Sequence, residues 1–162
     1  MALPDKTQRL ILYNQYEILK LIDPDNKERY AETQEVIAGG FETAYEWTID
    51  FLSDPISKNV STSVLNALQV CEALAISQRN GEFKSAKMFS NFEGYDGNHE
   101  TNYMAFAQFI LKTQGKFSDL AERPVNSHMA AASKYDRMYN EWRSMDSRFD
   151  LSLTEVDLIA NA

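Results

Sequence analysis

At 162 residues the chain has the length of one domain, a size that buries roughly 70% of its unfolded surface. With 44% hydrophobic and 25% charged residues, four Pro and six Gly, it is an ordered globular chain rather than a linker-rich one. The formal charge of −8 is spread out, 6 Lys and Arg against 11 Asp and Glu over residues 1–60 and 10 against 13 over the rest. Such a surface repels phosphate backbones and anionic lipid, which excludes nucleic-acid or membrane binding as the main role.

Lys84 and Lys87 are close enough in sequence to make a small basic patch, but two lysines do not outweigh the acidic whole. One cysteine, Cys71, excludes an intramolecular disulfide and fits a reducing cytoplasm. No basic segment leads into an apolar run at the N-terminus, and the longest apolar tract, Val64 to Ile76, is interrupted by Asn66, Gln69 and Glu72. A cytoplasmic protein without a membrane span is expected.

In chain order, Asp5 is placed to cap a helix reaching Ile22, with Leu10, Ile11, Ile18, Leu21 and Ile22 recurring every three or four residues as a core stripe. Asp23-Pro24 breaks it, because a residue before proline is pushed out of the α region. A second helix runs from about Pro24 to Ala38 and stops at Gly39-Gly40. Residues 41–60 are the hardest to read; Phe41 to Leu52 is assigned to helix or irregular structure, since a lone strand would have no partner. Ser61 caps a long helix to Arg79, ended by Asn80-Gly81.

Phe83 to Asn98 reads as a loop or short helix closed by Asp96-Gly97-Asn98. Helix resumes from His99 to Thr113. After Pro124, Asn126 or Ser127 caps a helix whose stripe is Ala131, Tyr135, Met138, Tyr139, Trp142 and Met145. The last helix opens with Ser152-Leu153-Thr154-Glu155, the form of a capping box, with Leu151 as its staple. Six or seven helices and no strand pair predict an all-α fold, a single compact helical domain over residues 1–162.

Asn14 lies three and four residues after Ile11 and Leu10 and four before Ile18, in the middle of the first stripe. A buried amide must find partners or cost roughly 1–3 kcal/mol, so Asn14 is expected to be buried and paired with a neighbouring helix or chain; its functional alternative is a ligand-facing amide. Asp96, His99 and Glu100, with Glu93 upstream, are the densest polar cluster. Helix capping explains them more simply than metal or acid–base chemistry, because Asp-x-x-His-Glu is no recognised metal spacing. Asp23 to Glu28 fails as a calcium loop, since Lys27 and Glu28 stand where a ligand and a glycine are needed. Cys71 sits in an apolar stripe and reads as a small hydrophobe. His99 and His128 fall in no hydrolase motif, and phosphate-binding and dinucleotide fingerprints are missing.

The run RLILYNQYEILKLIDPDNKERY (Arg9 to Tyr30), the segment FEGYDGNHETNY (Phe92 to Tyr103) and the tail LSLTEVDLIANA (Leu151 to Ala162) resemble the YfbU family of bacterial proteins over nearly the whole chain. The resemblance implies a helical, bacterial, cytoplasmic protein and carries over no catalytic residue. The combined reading is a non-enzymatic helical interaction module that self-associates, a dimer being favoured, with a further protein partner possible and neither cofactor nor metal. Its rival is a small-molecule-binding or hydrolytic enzyme. For that rival the binding residues are Asn14, Arg29, Tyr30, Tyr95, Asp96 and Glu100, in a pocket formed by the N-terminal helices and the Asp96 to Tyr103 segment.

Overall fold

The structure, a computed structural model, describes residues 3–81 and 92–162. Lys84, Lys87 and most of the aromatic loop read from Phe83 lie outside the described residues. Those described form an all-α protein with seven α-helices, divided into two compact units, Met1–Pro55 and Ile56–Ala162.

The N-terminal unit opens with α1 (Lys6–Ile22), where Asp5 Oδ1 accepts from the Thr7 and Gln8 amides at 2.7 and 2.9 Å and Gln8 Oε1 accepts from the Asp5 amide at 3.0 Å. That reciprocal box satisfies amides the helix cannot pair itself. The chain breaks at Asp23, turns through a 3-10 segment Pro24–Asn26 and continues as α2 (Lys27–Gly39). Gly40 ends α2 at φ 67, a left-handed backbone open mainly to glycine. A short α3 (Glu42–Ile49) follows. Arg9 Nη1 donates to the Ile37 carbonyl at 3.1 Å, Gln34 Nε2 to the Tyr13 carbonyl at 2.9 Å, and the Tyr16 and Tyr30 rings meet at 6.0 Å. These pairings run in opposite directions along the chain, so α1 and α2 form an antiparallel hairpin.

The C-terminal unit is built on α4 (Lys58–Asn80). It starts four residues earlier than expected, because Ser57 rather than Ser61 is the cap: its Oγ accepts from the Val60 amide at 3.3 Å, whereas Ser61 Oγ donates back to the Ser57 carbonyl at 3.1 Å. By length and composition alone α4 is apolar enough to cross a bilayer, against the sequence expectation. Val64, Ala67, Leu68, Val70, Cys71, Ala73 and Leu74 are nevertheless buried in this unit's core. Around it lie α5 (Thr101–Gln108), a π-helical turn Phe109–Thr113, α6 (Ala132–Ser144) and α7 (Leu153–Ala160). Tyr135, Met138 and Trp142 of α6 are buried, as the aromatic stripe predicted, and Tyr139 packs beside them half-buried. Ser152 and Glu155 form the expected capping box, with Leu151 buried behind it.

Candidate functional site

In the C-terminal unit, Phe92 to Glu100 is tied into a knot. Tyr95 donates its amide to the Val125 carbonyl at 2.9 Å and accepts from the Ser127 amide at 3.0 Å. This close pairing requires Gly94: at φ +89, an added Cβ would stand 2.1 Å from the Val125 carbonyl carbon. The Tyr135 hydroxyl accepts from the Glu93 amide at 2.9 Å and donates to the Gly94 carbonyl at 3.2 Å. Phe92, Tyr95 and Tyr135 meet ring to ring at 5.4 to 5.7 Å. Burial pushes the Tyr95 and Tyr135 hydroxyls well above the ordinary phenol range, so both stay protonated. The Tyr95 hydroxyl is buried without a hydrogen-bond partner among the described residues.

Glu100 is fully committed to structure. Its carboxylate accepts from the Ala131 amide at 3.0 Å, the Ala132 amide at 2.9 Å and the Asp96 amide at 3.0 Å. It therefore caps α6 from a distance, where Asn126 or Ser127 had been expected. Asn126 instead accepts from the Gly97 and His128 amides, and Ser127 donates to the Met129 carbonyl. Buried Asp96 accepts from the Asn98 amide at 2.9 Å and contacts His99 Nδ1 at 2.6 Å. The Asn98 amide first, then His99, holds its carboxyl below the usual range. The His99 ring is 80% exposed. Among the described residues no group of three His, Cys, Asp or Glu could hold a metal ion. Burial pushes the Cys71 thiol up to about 12, which keeps it an unreactive hydrophobe.

The N-terminal unit holds the other predicted residues. Arg29 and Tyr30 line a cleft of about 560 Å³ with Tyr16, Thr33, Trp47 and Phe51. The Tyr30 hydroxyl donates to Asp23 Oδ2 at 2.6 Å, and Asn26 Nδ2 donates to the same oxygen at 3.0 Å. The Tyr30 bond is the main reason that the Asp23 carboxyl is depressed and the Tyr30 phenol raised. Asp23 thus fastens a helix–helix connection.

Asn14 is exposed rather than buried. Its stripe is not core: Leu10, Ile11, Ile18, Leu21 and Ile22 are between 54% and 81% exposed. The physical reason is that α1 is apolar on both sides. At 100° per residue, Tyr13, Tyr16 and Leu19 share the side that meets α2, and Leu10, Ile11, Asn14, Ile18 and Leu21 fall opposite. Periodicity finds a stripe and cannot say which of two gets covered. The signal in the sequence was the unbroken apolar run from Leu10 to Tyr13, too wide for a helix with one solvent face. The six predicted binding residues divide between the units, Asn14, Arg29 and Tyr30 in the first and Tyr95, Asp96 and Glu100 in the second.

The family model of the YfbU domain matches residues 1–162. A UPF0304 protein of Histophilus somni is 34% identical over 160 residues, covering 96% of this chain and 97% of its own. A UPF0304 protein of Methanocaldococcus jannaschii is 34% identical over 167 residues, covering 97% and 98%. One of Actinobacillus succinogenes is 32% identical over 160 residues, with 96% and 97% covered.

Proposed function

This chain belongs to the YfbU family, and on that premise we propose that it is a non-enzymatic helical interaction module whose N-terminal unit docks onto another protein chain, in the first instance a second copy of itself. One observation carries the reading: among the described residues of Met1–Pro55, Ile37 and Gln34 alone are buried, while α1 and the α3 region expose Leu10, Ile11, Ile18, Leu21, Ile22, Trp47, Phe51 and Leu52. Exposed apolar surface on that scale marks an interaction face. The polar cluster at Asp96 supports the non-enzymatic half, since Glu100 spends its carboxylate on backbone amides.

Light scattering on the full chain at tens of micromolar tests it. A mass twice the chain's 18.5 kDa is expected, falling on dilution; a monomer throughout that range overturns self-association.

A specific feature favours a second reading, small-molecule binding in the 560 Å³ cleft, where Arg29 stands among Tyr16, Tyr30 and Trp47. Guanidinium and aromatic faces suit a planar anion. Trp47 fluorescence titrated with mononucleotides tests it; no change at millimolar ligand overturns it.

A further inference from the structure

The outer face of α1 is a continuous surface along the helix. Thr7, Leu10, Ile11, Asn14, Ile18, Leu21 and Ile22 share it at helical spacing, and none is charged. Three features of this face together select its occupant.

Asn14 is the middle residue of Lys6–Ile22, with apolar side chains toward both ends. A face that meets its own copy across a two-fold axis must be complementary to itself, and its central residue must tolerate meeting itself. A carboxylate or ammonium would repel its mate, whereas an amide offers both donor and acceptor and pairs with a second amide. The ends differ in sign at their exposed, unengaged positions: Lys6 lies in the first turn and Asp25 just beyond the last, whereas Asp5 caps its own helix, Arg9 is held by the Ile37 carbonyl, Lys20 by Glu17 and Asp23 by Tyr30. An antiparallel pair sets each basic end beside an acidic one and opposes the helix dipoles, while a parallel pair stacks like charges. In extent, five Leu and Ile side chains, all more than half exposed, would together remove on the order of 1,000 Å² from water when two copies meet, the threshold for a specific if weak interface.

Resting on the self-association reading and deepening it, we infer that α1 packs antiparallel against α1 of a second copy across a two-fold axis passing by Asn14. Leu10 of one copy lies against Ile18 of the other, and Thr7 against Leu21. The Lys6 stem crosses Ile22 and carries its ammonium toward Asp25. The paired Asn14 amides fix the register, as a polar residue in an apolar helical seam does.

Cysteine pairing in the full chain tests the arrangement. Cys71 is buried and does not compete, and the substituted positions are exposed, so the fold tolerates them; circular dichroism checks this. Because a disulfide needs Cα atoms within about 7 Å, Asn14→Cys should cross-link to a dimer under mild oxidation. Leu10→Cys and Ile18→Cys should stay uncross-linked alone and cross-link when mixed. Asn14→Asp, which sets two carboxylates at the axis, should weaken association tenfold or more at neutral pH and recover on acidification.

Self-cross-linking by Leu10→Cys and by Ile18→Cys, each alone, overturns the antiparallel register. A dimer by light scattering in which Asn14→Cys and the mixed pair both fail to cross-link overturns the proposed face and leaves self-association standing. A monomer throughout overturns both.

Discussion

The two units are made by the same local rules and differ in what they bury. Residues 56–162 enclose Val64, Leu68, Cys71, Leu74, Phe92, Tyr95, Tyr135, Met138, Trp142 and Ile159 in one core, whereas in residues 1–55 the one buried hydrophobic side chain among those described is Ile37. Both contain well-capped helices. Capping and propensity form a helix, but tertiary burial supplies most of its stability. A hairpin of α1 and α2 with α3 that buries so little has surface left for another chain, and its apolar α1 face is the part of the molecule not explained by the fold of its own unit.

The contrast is broken most forcefully in the C-terminal core. Tyr135→Ala removes a buried ring, its contacts with Phe92 and Tyr95 and the hydroxyl that ties Glu93 and Gly94. It should cost about 3–5 kcal/mol in denaturant unfolding, and Cys71 should become reactive to thiol reagents at a correspondingly lower denaturant concentration. Leu21→Ala, equally apolar in sequence, should alter the stability of the diluted monomer by no more than about 0.5 kcal/mol. A large loss there would mean that the N-terminal face is covered within the monomer.

Next in size is Glu100→Ala, which strips the partners from the Ala131, Ala132 and Asp96 amides. About 2–3 kcal/mol of stability should be lost, read by thermal or denaturant unfolding. An effect within error would show that water replaces the carboxylate at no cost.

The tryptophans sharpen the comparison by fluorescence rather than by stability, since each unit has one. Trp47 is 74% exposed and Trp142 is 4% exposed. With Trp142 replaced by Phe, the remaining Trp47 emission should be red and quenched by acrylamide; with Trp47 replaced by Phe, the remaining emission should be blue and protected. Equal quenching of both would erase the distinction between the units.

The smallest expected effect is acidic. Asp96 is held below the ordinary carboxyl range, chiefly by the Asn98 amide and then by His99, so the unfolded chain takes up its proton at higher pH than the folded one. Its stabilisation is complete above the unfolded value of about 3.9 and is lost as pH falls through the depressed folded value. Asp96→Asn should flatten the acid limb of the stability–pH curve; an unchanged limb would assign that limb to other carboxylates.

What the sequence by itself determined is local. The Asp5 and Ser152 boxes, the Asp23-Pro24 break, the left-handed Gly40 and the helical class all follow from residues a few positions apart, as does the C-terminal aromatic stripe. Tertiary structure decided the rest, for reasons of distance and coverage. Glu100 caps a helix that begins more than thirty residues downstream, which no local motif records. Gly94 matters because Val125 passes beside it. Asn14 and its neighbours recur at core spacing yet face outward, because periodicity reports that a helix has an apolar face, and only the arrangement of the other helices determines whether anything within the chain is there to cover it.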